Sequence, residues 1–147
     1  MVLLGLPIAD PTLDRVKMLV GGRWEGDAAP GVKVRFRYSL EPDGNAVAGS
    51  GSIDDGKKII QVHVVMGWDP VSKQVYYLDR HGSDTVYFGH ITCKAEGLLF
   101  DFNGLSGDKG HYRMEMSLAK AATSSTMSGE SNGKWTDFGI HLVMKRR

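Results

Sequence analysis

The chain has 147 residues, 41% of them hydrophobic and 24% charged, and its 18 basic and 17 acidic side chains leave a formal charge of +1. That length suits one domain able to close its own core, and the near-neutral balance supplies no field to gather nucleic acid or an anionic membrane. The single cysteine, Cys93, excludes an intrachain disulfide and a cysteine metal cluster, and reads as a small packing residue.

Met1 to Leu6 is apolar but has no basic start, and Pro7 and Asp10 cut it short, so it does not read as a secretion signal. Nothing that follows is long and apolar enough to span a bilayer as a helix, and cytoplasmic residence is the expectation. Asp10 followed by Pro11 predicts a helix start, because a carboxylate accepts the orphan amide donors and proline fits the first turn. Leu13, Val16 and Val20, with Leu19 beside them, form an imperfect apolar stripe that Gly21 and Gly22 end. Such a short helix is expected to cover one end of a barrel or to lead into the first strand.

From Val32 the period changes to two. Val32, Val34, Phe36, Tyr38 and Leu40 share one strand face, and Lys33, Arg35, Arg37 and Ser39 the other. Glu41 to Asn45 is a turn, Ala46 to Ile53 a second strand, and Asp54-Asp55-Gly56 another turn. Further strands are predicted over Ile59 to Met66, Val75 to Arg80, Val86 to Cys93, Leu98 to Phe102, Tyr112 to Leu118 and Phe138 to Met144. Glycines at 82, 89, 97, 104, 107 and 110 punctuate the middle, where they supply turns, bulges or curvature. Ala121 to Gly133, rich in Ser, Thr and Gly, is read as a strand containing a loop. Many short strands behind one helix predict an all-β antiparallel meander, with residues 1–147 as a single domain and the barrel proper from about residue 22.

No familiar catalytic string is present. Gly51 to Lys58 approaches phosphate-loop spacing, but Lys58 stands where a hydroxyl would engage magnesium and no helix follows, so a hairpin turn is the reading. The acidic and amide residues after Glu41 lack the ligand ladder of a calcium loop. Arg35, Arg37 and the terminal Lys145, Arg146 and Arg147 read as a solvated face and tail, so neither nucleic acid nor membrane is expected as a partner. The histidines, His63, His81, His90, His111 and His141, are scattered. Asp79 and His81 share a face with His90 within hairpin reach, so Asp79, His81, His90 and His141 are the candidates for acid or base chemistry; no metal site is assigned. Phe36, Tyr38, Met66, Trp68, Tyr77, Phe88, Phe100, Phe102, Met114 and Met116 either pack solidly or line a cavity for a small apolar molecule.

Three short signatures add a resemblance: Gly22-Arg23-Trp24-Glu25-Gly26 at the helix exit, Gly67-Trp68-Asp69-Pro70-Val71-Ser72-Lys73 in a hairpin and Gly133-Lys134-Trp135 before the last strand. In that order they resemble the calycin superfamily, in particular small lipocalin-like barrels of uncharacterised function, over Leu13 to Arg147. The resemblance implies a lipocalin-like β-barrel with a short N-terminal helix, a lipophilic pocket, and Gly22 and Trp24 closing one barrel end. Gly22, Trp24 and Gly26 also resemble the opening of nitrobindin-like proteins, which implies haem on a late histidine, here His141. The chain departs from that pattern, because Asp27, Ala28 and Ala29 follow Gly26 in place of further glycine. The leading expectation is binding of a small hydrophobic or aromatic molecule without a resident cofactor. The alternatives are an enzyme isomerising or cyclising such a molecule, a haem protein, and a structural module forming a homodimer.

Overall fold

The computed structural model describes residues 10–147; the apolar start Met1 to Leu6 lies outside the described residues. A helix, α1 (Pro11–Val16), runs into a 3-10 turn at Lys17–Leu19. Ten strands follow: β1 (Trp24–Ala29), β2 (Val32–Leu40), β3 (Ala46–Asp54), β4 (Ile59–Asp69), β5 (Gln74–His81), β6 (Thr85–Lys94), β7 (Gly97–Ser106), β8 (His111–Leu118), β9 (Ala122–Ser131) and β10 (Lys134–Arg146). Each strand pairs antiparallel with the next, and β10 pairs with β1, so the meander closes into a barrel with no free edge.

Alternation dictates what the wall encloses. Val34, Phe36 and Tyr38 of β2 face inward while Lys33, Arg35 and Arg37 are exposed, and the same alternation buries Val62, Val64 and Met66 of β4 and Leu98, Phe100 and Phe102 of β7. Each large side chain taken fully out of water contributes about 1.5–3 kcal/mol. The pattern is therefore strongly held in register, since a slip of one residue would move every apolar side chain to the solvent face.

The helix forms as the local chemistry requires. The Asp10 carboxylate accepts the Thr12 amide at 2.9 Å, and Pro11 occupies the first turn. Gly21 and Gly22, both at positive φ, turn the chain away after the 3-10 segment. Val16 and Leu19 are buried in the barrel core, so the helix caps one end. Arg15 ties it there by donating to the carbonyls of Lys94, Ala95 and Gly97 on the β6–β7 turn, and the Thr12 hydroxyl reaches the Cys93 sulfur at 3.4 Å. Cys93 thus packs beneath the cap.

Two expectations are corrected. Gly22 to Gly26, read as lying at the helix exit with no strand assigned there, runs into a full strand, Trp24–Ala29, the one that closes the barrel. The segment from Ala121 is not a strand broken by a loop: β9 is continuous from Ala122 to Ser131, because its Ser and Thr residues pair along whole ladders with β8 and β10. β10 does carry an irregularity, in which Gly139 adopts φ +69° and the Asp137 carboxylate accepts its amide at 2.7 Å. Gly51 to Lys58 is a hairpin, with Asp55 accepting the Lys57 and Lys58 amides.

Trp24 is fully buried, and its indole N–H donates to the Leu19 carbonyl at 2.8 Å while the Arg146 guanidinium lies 4.5 Å from its ring. The indole therefore joins the cap to the closing strands. Trp24→Phe keeps most of the ring but leaves that carbonyl without its donor, which should cost about 1–3 kcal/mol. Urea unfolding should show a lower midpoint with unchanged slope; an unchanged midpoint would remove this role.

Candidate functional site

The interior is unevenly filled. Between β5 and β8 the rings of Tyr77, Phe100, Phe102, Tyr87 and Tyr112 pack edge-on or tilted with centroids 5.2–6.0 Å apart. Phe138 adds to this cluster, 5.9 Å from Tyr112. On the other side, toward β1–β4 and β8–β10, a cavity of about 260 Å³ is left open. Benzene enters an engineered apolar cavity of about 150 Å³, so this space takes a molecule of one substituted ring or a short aliphatic equivalent. Leu19 of the cap lines it, while Ala28, Ile53 and His81 come from strand ends near the turns at the opposite end, and Ile140 from the irregular middle of β10.

The cavity is lined by Phe36, Tyr38, Met66, Tyr77, Phe100, Met114 and Met116 from the predicted set, together with Asp79 and His81. Phe102 is buried in the aromatic cluster and Trp68 is half-buried against the core near the capped end; neither lines the space. Phe88 and His90 stand on the outer face of β6, where their rings meet edge to face at 5.7 Å. The reason is parity: Tyr87, Gly89, Ile91 and Cys93 take the inward positions, in unbroken register with the inward row Val75, Tyr77 and Asp79 of β5. His90 is thus not brought to Asp79 and His81. His141 is exposed on β10 and within hydrogen-bond distance of the Ser124 hydroxyl, 2.7 Å.

Sequence reasoning missed the lining from Val34, Val62, Val64, Ser125, Met127, Leu142 and Met144. Strand periodicity carried the signal for most of them, since they alternate with exposed or half-buried neighbours; selecting aromatics and selected methionines passed over the aliphatic rows.

The polar part of the wall is compact. Asp79 is 6% exposed, and its Oδ2 accepts the Tyr77 hydroxyl at 2.6 Å and lies 2.9 Å from His81 Nε2. Its Oδ1 is buried with no hydrogen-bond partner among the described residues. Burial and the nearby Asp79 carboxylate push the Tyr38 and Tyr77 phenols well above their ordinary value, so both stay neutral in the folded protein. His81 is partly exposed, and its ring meets Tyr87 edge-on at 5.3 Å. It links the buried carboxylate to the end of the barrel.

Two other carboxylates organise the surroundings. Asp108 accepts the Tyr112 hydroxyl at 2.5 Å and the Tyr87 hydroxyl at 3.1 Å; these bonds hold Asp108 below the usual carboxylate value, and Tyr112 is pushed up to about 12. On the outside, Asp101 bonds His111 at 2.6 Å and Arg113 at 3.0 Å, and Arg113 lies over Trp135 at 4.1 Å. Partial burial works to raise Asp101, but the bonds from His111 and Arg113 outweigh it and hold the carboxyl low. This outer row is structural pairing on a solvated face, as the alternation of His111, Arg113 and Glu115 against Tyr112, Met114 and Met116 predicts.

Haem does not fit this arrangement. His141, the ligand that the resemblance implies, is exposed on the outer face of β10 and does not line the cavity. Among the described residues, no group of three or more His, Cys, Asp or Glu side chains is arranged to hold a metal ion, and no helix is long and apolar enough to cross a membrane. No family model matches the chain, and no curated protein matches it significantly. The architecture itself, a closed ten-stranded antiparallel barrel with a short helix, is compatible with the calycin-like barrels that the sequence resembles.

The neutral, buried phenols have a consequence at high pH. Unfolded tyrosines ionise near pH 10, whereas Tyr38, Tyr77 and Tyr87 hold their protons above that when folded. The raised folded values give stability that is complete below about pH 10 and is lost as pH rises further. Urea midpoints should therefore fall above pH 10, and in Tyr77→Phe the fall should be shallower by up to about 1.4 kcal/mol per pH unit. Equal slopes in the two proteins would contradict the buried neutral phenol.

Proposed function

We propose that the barrel binds a small hydrophobic or aromatic molecule in its cavity, as a lipocalin-like carrier or sensor of that ligand. The observation that carries the reading is a cavity of about 260 Å³ whose wall is mostly aliphatic, aromatic and methionine side chains. A cavity of this kind costs stability when left unfilled, because its lining forfeits dispersion contacts that an occupant restores. Methionines 66, 114, 116, 127 and 144 give the wall side chains that adapt to ligand shape. The polar groups are few and gathered at Asp79, which is the usual division of labour in a ligand site: apolar area for affinity, a small number of polar atoms for orientation.

The Asp79–His81 bond in the wall favours one second reading, proton transfer on a hydrophobic substrate during isomerisation or cyclisation. His90 and His141 are outside the cavity and take no part in it.

Propylbenzene, titrated calorimetrically, should bind one site per chain with a negative heat-capacity change. Leu142→Trp, which places a larger side chain on the cavity wall, should abolish that binding while the circular dichroism spectrum is retained. Binding unaffected by Leu142→Trp would place the ligand elsewhere, and no binding to the unaltered protein would overturn the reading. A physiological ligand released from gently purified protein, identified by native mass spectrometry, should be recovered chemically unchanged after prolonged incubation. Conversion that His81→Gln abolishes would favour the enzyme instead.

A further inference from the structure

The Asp79 carboxylate is an unusual group to place in this wall. A buried carboxylate is costly unless its oxygens are supplied with donors. Oδ2 has two partners, the Tyr77 hydroxyl at 2.6 Å and His81 Nε2 at 2.9 Å, while Oδ1 has none among the described residues. An ionised carboxylate only accepts hydrogen bonds, so what is missing is a donor. Among the described residues no lysine or arginine lines the cavity, and His81 is the one group on its wall able to carry a positive charge. Aromatic side chains from three strands, Phe36 and Tyr38 on β2, Tyr77 on β5 and Phe100 on β7, line the same space as this carboxylate, and Tyr77 bonds it directly.

We infer that the ligand of this barrel is an amine: a molecule with a compact aromatic or aliphatic body and one protonated nitrogen, which donates to Asp79 while the body fills the apolar part of the cavity. This rests on the cavity-binding reading above and specifies it. An ammonium supplies the missing donor and neutralises the buried charge in one group, and aromatic faces attract it further. A ligand carboxylate would do the opposite. Brought beside Asp79, with no lysine or arginine on the wall to receive it, it would set two like charges in a poorly solvated space. The site is thereby set against fatty acids and other organic anions, and a neutral hydrocarbon leaves the carboxylate as it is. The space of about 260 Å³ limits the body to roughly one substituted ring.

Four probes of similar size separate these outcomes at pH 7: phenethylamine, phenethyl alcohol, propylbenzene and phenylpropanoate, each titrated by calorimetry into the full chain. Phenethylamine should bind on the order of tenfold tighter than propylbenzene or better, since a hydrogen bond to a charged partner is among the stronger ones. Phenylpropanoate should bind weakest. In Asp79→Asn the ratio between amine and hydrocarbon should collapse to about one. If that variant does not fold, the order of the four probes on the unaltered protein decides alone. Propylbenzene binding as tightly as phenethylamine would overturn the amine assignment and leave the cavity reading standing. Phenethyl alcohol matching the amine would also overturn it, because a neutral donor would then suffice, and so would phenylpropanoate binding tightest. Failure of all four to bind would bring down the cavity reading itself and this inference with it.

Discussion

Everything the barrel encloses depends on one seam, the ladder by which β1 lies between β2 and β10. Trp24, Glu25, Gly26 and Asp27 pair with Arg146, Lys145, Met144 and Val143 on one side and with Phe36 through Lys33 on the other. The backbones approach so closely there that a Cβ on Gly26 would sit 2.1 Å from the Val143 carbonyl oxygen, so glycine is required by contact and not by a positive φ. Without that seam β2 and β10 would each present an unpaired edge, and the sheet would be open to other chains and to water. The same few residues also fasten the cap: the Trp24 indole holds the Leu19 carbonyl, and Arg146 donates to the Met18 carbonyl. Closure of the wall and closure of its end are one structure.

Within the wall, the division between packed and empty space follows from which strands carry rings. β5 to β8 bring Tyr77, Tyr87, Phe100, Phe102 and Tyr112 together, and their edge-on contacts fill that side densely. Facing them, β9 contributes Thr123, Ser125 and Met127, and β1 contributes Gly26 and Ala28, side chains too small or too flexible to complete the packing. The void lies where small residues meet large ones. Asp79 and Tyr77 are next to each other on the inward row of β5, which puts a buried charge where the packed half gives way to the open one.

The architecture was legible where apolar and charged residues alternate cleanly. Val32 to Leu40 forms β2 over those same residues, and its inward row at Val34, Phe36 and Tyr38 is the one periodicity assigns. β1 escaped notice because Trp24-Glu25-Gly26-Asp27-Ala28-Ala29 holds a single large apolar residue; it is a strand because two neighbours pair with it, a tertiary cause with no local signature. β9 was obscured for a related reason, since serines and threonines that look like a loop are compatible with a strand once both edges are paired. At the site, Asp79 and His81 were readable as same-face neighbours, and much of the aromatic and methionine lining was readable as inward rows. Phe88 and His90 were not, because a glycine, Gly89, holds the inward position between them opposite Tyr77, and glycine gives no apolar signal for that face. Whether the interior holds space is a matter of volume summed over ten strands, which no single stretch of sequence contains.

A closed wall around usable space is what an experimental electron-density map of the unmodified protein would reveal. That map should show continuous pairing from β1 to β10 and a cavity of about 260 Å³ bounded by Met66, Phe100 and Met116, with Asp79 on its wall. A barrel filled throughout by its own side chains, or one parted between β1 and β10, would contradict that closed wall and its space.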